Sequence, residues 1–376
     1  MRPVPFALER FFAAHEFSAA HNLCASDCET FSLGELLALE PGAGEAFSAL
    51  RLGYTETAGD PALRSEIASL YQGIAPDDVL VFSGAEEAIY VFMNTALKAG
   101  DQLVVHSPCY QSLAAVAKAA GCRVTPWEAR AETGWDLDLE GLAAALTPAG
   151  RAVAVNFPHN PGGYLPPREL FAGIVEIVRK RGLLLFSDEV YRFLEYRDEE
   201  RLPAACEAYE KGVSLGVMSK AFGLAGLRLG WAACRDRGVL RAMAELKDYT
   251  TICAAAPSEF LARLALRQRR HILGRNLEII GRNLERLDAF FAAHERFFSW
   301  QRPRAGPVAF PAVRFASSSD GFCAGLLSDQ GVLLLPGSVF GGWPGHFRVG
   351  FGRGDLPAGL ERLAAHMRKL GSQGVD

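Results

Sequence analysis

The chain has 376 residues, which at ~150 residues per domain is enough for two domains that each bury a core, so a peptide hormone or a lone small module is excluded. Hydrophobic residues make up 49% and charged residues 22%, which excludes disordered and fibrous chains. Lys plus Arg number 39 against 43 Asp plus Glu, a net charge of -4. That balance supplies no positive field for a phosphate backbone, so nucleic acid is not an expected partner.

Near the N-terminus, Glu9, Arg10, His15 and Glu16 interrupt any apolar stretch, and no signal peptide is expected. Apolar runs such as Leu183 to Phe186 fall far below the ~20 residues that cross a bilayer, so no membrane is expected. Cys24, Cys28, Cys109, Cys122, Cys206, Cys234, Cys253 and Cys323 form no CxxC pair. Neither a zinc site nor a disulfide framework is expected, and a reducing cytoplasm is the expected location.

In chain order, Ser32 and Glu35 form a capping box before an apolar run and predict a helix start. From about residue 77 to 235, short apolar runs alternate with helical patterns, the signature of an α/β fold. The predicted strands are Val79–Phe82, Gln102–His106, Arg123–Trp127, Ala152–Phe157, Leu183–Ser187, Val213–Met218 and Leu229–Ala233. Helices are predicted over Glu86–Lys98, Gln111–Ala120 and Pro167–Lys180, closed by Gly100, Gly121 and Gly182. Pro167 is expected in the first turn of its helix. Residues 236 to 300 read as almost wholly helical, with Pro257 the only strong breaker, and look like a bridge between domains. Short strands and Gly/Pro turns follow Pro303, then a helix over Pro357–Leu370, which together predict a second, smaller α+β domain. The expected division is residues 1–45 with the small domain, 46–270 as the large domain, and 271–376 as the C-terminal part of the small domain.

Three polar residues each follow an apolar strand directly: Asn160 after AVAVNFPH, Asp188 after LLLFS, and Lys220 after VSLGVMS. Parallel strands at such spacing bring their C-terminal ends to one edge, where α/β proteins bind ligands. A carboxylate, an amide and an amine at one edge suit a ring cofactor that needs a cation partner, a hydrogen-bond donor and an imine-forming lysine. Competing motifs fail. PGAGEAF lacks a third glycine and a preceding strand, His15-Glu16 and His294-Glu295 lack the second histidine of a zincin, and GxSxG does not occur.

Together these residues resemble the class I/II aminotransferases, pyridoxal-phosphate enzymes of fold type I, over roughly residues 50 to 235 and again near 348. The resemblance implies a large domain with a mainly parallel seven-stranded sheet, a smaller α+β domain, and pyridoxal 5'-phosphate as cofactor. In FSGAEEA it assigns Gly84, Ala85 and Glu86 to a helix start under the cofactor phosphate, a setting that attracts anions. Tyr110 in HSPCYQS resembles the ring-stacking aromatic, Asn160 in FPHNPGG the amide on the ring hydroxyl, and Asp188 and Tyr191 in SDEVY the partners of the ring nitrogen and oxygen. Within SKAFGLAGLRLGW, Lys220 resembles the Schiff-base lysine, and Ser219 and Arg228 the phosphate clamps. Arg348 in FRVGFGR resembles the arginine that grips the substrate carboxylate, with Asn160 beside it, and Tyr54 in YTETAGDPALR the tyrosine that reaches a phosphate across a dimer interface.

The chain departs from the family pattern at Val217, where many relatives carry a hydroxyl residue, so one phosphate contact is expected to be missing. Gly162-Gly163 also replaces the usual Thr-Gly. The implied activity is amino transfer from an L-amino acid to a 2-oxo acid in a homodimer with shared active sites, with Lys220, Asp188 and Tyr191 as the catalytic set. The same fold also serves lyases and cyclases acting at Cβ or Cγ, including makers of cyclic arginine-derived amino acids. Two readings stay open for Asp27 and Glu29: recognition of a cationic side chain, or capping of the nearby helix and exposure to water.

Overall fold

In the computed structural model, residues 2–372 are described, so position 1 and positions 373–376 of the expected terminal segments lie outside the described residues. Helix α1 (Ala7–His15) comes first, and a capping box at Ser32 and Glu35 opens the short helix Leu33–Ala38, as its sequence predicts. The large sheet contains β1 (Val79–Phe82), β2 (Gln102–Ser107), β3 (Arg123–Glu128), β4 (Gly150–Asn156), β5 (Leu184–Asp188), β6 (Gly212–Val217) and β7 (Gly230–Cys234). All seven predicted strands are present, in the order β1-β7-β6-β5-β4-β2-β3.

Strand β7 runs antiparallel to both its neighbours, and every other pairing is parallel. Residues 218–229, which join β6 to β7, contain only a short 3-10 turn at Ala225–Leu227 and no crossover helix. The inner strands read as continuous apolar runs because helices cover both faces. One face, with Leu103, Ala154 and Phe186, packs on α2 (Ala85–Thr95), α3 (Gln111–Ala119) and the later helix Arg237–Lys247. The opposite face, with Val104, Val153 and Leu185, packs on α4 (Leu139–Ala145) and α5 (Arg168–Lys180). Pro167 sits at the cap of α5, one residue before the expected first turn, because its φ of -63° comes with an extended ψ of 155°. Phe92 of α2 meets Phe186 of β5 with ring centroids 4.5 Å apart. This contact packs the second half of α2 on the middle of β5, and truncating either ring to alanine costs about 3–5 kcal/mol.

The predicted helical stretch 236–300 divides into α6 (Arg237–Lys247), α7 (Ala256–Arg267) and α8 (Arg269–Ala293). Pro257 is not its breaker. It occupies the first turn of α7, where a missing N–H is harmless, and the chain leaves helix over residues 248–255. A second sheet holds β8 (Val308–Ala309), β9 (Leu335–Pro336) and β10 (Phe347–Gly350), all antiparallel with β10 in the centre. His21–Asn22 pairs in parallel with Val332–Leu333, which ties the N-terminal segment to this C-terminal group. A Cβ at Gly350 would lie 1.8 Å from the Ala25 carbonyl oxygen, so only glycine lets the segment around Ala25 lie against β10. Helix α9 (Leu356–Ser372) closes the described chain. No helix among the described residues is long and apolar enough to cross a membrane.

Candidate active site

The C-terminal ends of β4, β5 and β6 face one cavity of about 370 Å³, lined by Asn160, Asp188, Tyr191, Val217, Ser219 and Lys220 among others. Strand register sets Asn156 of β4 beside Asp188 of β5. The Asn156 amide donates to the Asp188 carbonyl at 2.9 Å and accepts from the Asn160 backbone N–H at 2.7 Å. One buried side chain thereby fixes both the carboxylate strand and the loop that carries Asn160.

At one end of the cavity, α2 begins at Gly84, whose φ of 92° favours glycine, and no side chain caps its first amides. A Cβ on Gly84 would come within 2.7 Å of the Arg228 Nη2. Arg228 also lies 3.5 Å from the Ser219 hydroxyl. Uncapped helix amides, a hydroxyl and a guanidinium thus converge where an anion would be held by hydrogen bonds and by the helix dipole. Val217 lines the same cavity with an apolar side chain that offers no hydroxyl.

Further in, the Lys220 ammonium donates to the Ser26 hydroxyl at 2.8 Å. Burial lowers the lysine's pKa, against the pull of the Asp27 carboxylate, and favours the neutral amine that a nucleophile needs. Asp188 is pushed up to about 7, chiefly by burial, although the Val190 N–H bonded to its carboxylate and the nearby Lys220 act the other way. A cation beside it would restore the charged form. The Tyr191 hydroxyl is buried with no hydrogen-bond partner among the described residues, and burial raises its pKa. Tyr110 lines the same wall, as do Ala85 and Glu86, whose carboxylate accepts from the Ser112 hydroxyl.

Arg348, on β10, is 1% exposed and forms no ion pair among the described residues. Its Nη1 donates to Asn160 Oδ1 at 3.1 Å and its Nη2 to the Cys24 carbonyl at 2.8 Å, while Nε is left unsatisfied. A buried guanidinium held only by neutral acceptors favours an incoming carboxylate.

Of the sequence-assigned residues, Ala85, Glu86, Tyr110, Asn160, Asp188, Tyr191, Ser219, Lys220, Arg228 and Arg348 line this one cavity, and Gly84 abuts Arg228 behind it. Tyr54 does not join them; its side chain is 90% exposed. Asp27 reaches the cavity wall but holds Arg353 in a two-pronged pair, both bonds at 2.9 Å. Glu29 accepts from the Gly354 N–H at 2.7 Å and is absent from the lining. Neither residue caps Leu33–Ala38, since Ser32 and Glu35 already do so. Both instead tie the N-terminal segment to the loop after β10. Asn156, Ser26 and the α1 face bearing Glu9, Phe12 and Glu16 escaped the sequence reading. Asn156 alone carried a signal there, as a polar residue ending an apolar strand.

These residues fit pyridoxal phosphate: the uncapped helix start with Ser219 and Arg228 for the phosphate, the unpartnered Tyr191 hydroxyl for a ring oxygen, and a buried Asp188 that makes no ion pair among the described residues. The architecture and the donor set define a pyridoxal-phosphate-dependent enzyme of fold type I. Residues 22–366 match the family Aminotransferase class I and II, and the chain belongs to that family. It is 31% identical over 371 residues to capreomycidine synthase of Streptomyces vinaceus, covering 96% of this chain and 94% of that protein. Among solved structures, it resembles a PLP-dependent aminotransferase from Streptococcus suis 89-1591 with a TM-score of 0.92 and 31% identity, covering 98% of this chain and 99% of the other. The PLP-dependent cyclase OrfR superposes with a TM-score of 0.90 and 32% identity, covering 98% of each chain.

Proposed function

We propose that the protein is a pyridoxal-phosphate-dependent aminotransferase that moves the amino group of an L-amino acid to a 2-oxo acid through Lys220. The observation that carries this reading is the convergence of Lys220, Asp188, Tyr191, Asn160 and Arg348 on one cavity beside an uncapped helix start. When bound, the cofactor supplies a carbonyl that condenses with amines and a ring that accepts electrons.

The chain's own residues do the rest. The α2 amides, Ser219 and Arg228 would hold the phosphate, and Tyr110 would flank the ring. Asp188 would favour a protonated ring nitrogen by offering it a buried negative charge. Arg348 and Asn160 orient the substrate carboxylate, which sets the Cα–H bond within reach of the Lys220 amine. Lys220, its pKa lowered by burial, would take that proton from Cα onto its Nζ and hold it there for return.

A second reading is a lyase or cyclase acting at Cβ or Cγ, for example on an arginine-derived substrate, supported by the likeness to the cyclase OrfR. Product analysis with and without a 2-oxo acid separates the two. Transamination stalls after one turnover without an acceptor, and sustained turnover in its absence would replace this proposal with the second reading.

Arg348→Lys should weaken amino-acid binding by about 10- to 100-fold, the worth of one charge-assisted hydrogen bond, because an ammonium cannot make the two-pronged contact. Titration of the cofactor spectrum measures it, and unchanged affinity would remove Arg348 from substrate binding.

The proposal extends to a homodimer in which the exposed Tyr54 serves the neighbouring subunit's phosphate site. A mixed dimer of Tyr54→Ala and Lys220→Ala chains would then hold one undamaged site, and activity should return on mixing. If subunit exchange is verified by mass spectrometry and no activity returns, Tyr54 acts within its own chain or not at all.

A further inference from the structure

The cavity's charges do not balance once each is given its task, and the excess is negative. Asp27 and Arg353 neutralise each other, Asp188 and Lys220 serve the cofactor, Arg228 its phosphate, the buried, ion-unpaired Arg348 the substrate carboxylate, and Glu86, whose pKa burial raises, accepts from the Ser112 hydroxyl. Glu9, exposed, and Glu16, half-buried, also line the cavity, and no hydrogen bond or ion pair holds either side chain among the described residues, although the Arg353 charge acts on Glu16. They follow Phe12 by -3 and +4 on α1, so the three share one helix face. Phe12 stands 5.8 Å from the Arg348 guanidinium carbon. The backbone positions of Glu9 and Glu16 therefore lie roughly one helical turn, ~5 Å, to either side of the residue whose ring faces the carboxylate-binding arginine. Glu16 does nothing for its helix: it stands at the C-terminal end of α1, where the dipole disfavours an anion.

We infer that the substrate is an amino acid with a cationic side chain, a guanidinium or ammonium on a flexible stem, whose stem packs along Phe12 and whose charge is taken by Glu9 and Glu16. The inference rests on the proposed amino-acid chemistry of this site and adds its specificity. A side-chain carboxylate is disfavoured, since it would face both glutamates while the one cation left at this end, Arg353, is already bridged by Asp27. A neutral side chain would leave both carboxylates without a partner.

The test is a set of dissociation constants for the holoenzyme, read from the cofactor spectrum and by calorimetry with L-arginine, L-lysine, L-norleucine and L-glutamate. A cationic amino acid should bind at least ~10-fold more tightly than norleucine, and glutamate no better than norleucine. In a Glu9→Gln, Glu16→Gln double variant that retains the cofactor, the cation-to-norleucine ratio should fall by about 10-fold. Equal affinities, a preference for glutamate, or an unchanged ratio in the double variant would overturn the inference and leave the proposed chemistry standing. If no amino acid perturbs a holoenzyme with full cofactor content, the proposed function itself fails and takes this specificity with it. The wild-type comparison decides the matter even if the variant loses its cofactor.

Discussion

Changing Lys220 to alanine should lower turnover by roughly 10⁴-fold or more while leaving much of the cofactor affinity in place. The separation follows from the layout of the cavity. The phosphate would be held by the α2 start, Ser219 and Arg228, none of which depends on the lysine, whose one hydrogen bond is to Ser26. Among the described residues no other lysine lines the cavity, so no neighbouring amine there replaces it. Two assays read the result: cofactor content after gel filtration, and exchange of the substrate Cα proton with deuterated water. Exchange within ten-fold of the wild type would remove Lys220 from the proton-transfer step.

Asp188→Ala should reduce the same exchange by about 10²- to 10³-fold, the usual loss when one buried electrostatic partner of a developing charge is removed. The carboxylate also carries a pH signature in the apoprotein. Burial raises its pKa from 3.8 to about 7. A folded value above the unfolded one means that the group's contribution is fully present below about pH 4 and is lost as pH rises through about 7. Apoprotein with Asp188→Asn keeps an acceptor for the Val190 N–H and has no charge to bury. It should therefore gain on the wild type as pH rises, by on the order of 4 kcal/mol at pH 8, in urea unfolding of the two apoproteins. Identical pH trends would show that the cavity does not penalise the carboxylate.

Much of this arrangement was legible in the chain because sheet strands covered on both faces leave unmistakable apolar runs. Each of the seven strands was readable from such a run, and the polar residue at the end of three of them marked the site edge. The direction of β7 is less plain, since it depends on the 218–229 connection forming no crossover helix and not on the composition of the strand. Pro257 misled because a proline reads alike as a helix breaker and as a first-turn residue, and only the chain path after α6 distinguishes them. Ser26, Glu9 and Glu16 were invisible for another reason. They reach the cavity because His21–Asn22 pairs with Val332–Leu333 and Gly350 admits the segment around Ala25, contacts more than 300 positions apart in the chain. The charged residues that interrupt the N-terminal apolar stretch thus include two that face the cavity. Asp27 and Glu29 were noticed as acidic, but their partners, Arg353 and the Gly354 amide, lie equally far away.

Chemical trapping tests most directly whether Lys220 carries the cofactor. Holoenzyme reduced with borohydride, digested and mapped by mass spectrometry should carry a pyridoxyl phosphate mass on the peptide containing Lys220 and on no other lysine. A pyridoxyl group on a different lysine, or none in protein that retains the cofactor's absorbance before reduction, would contradict it.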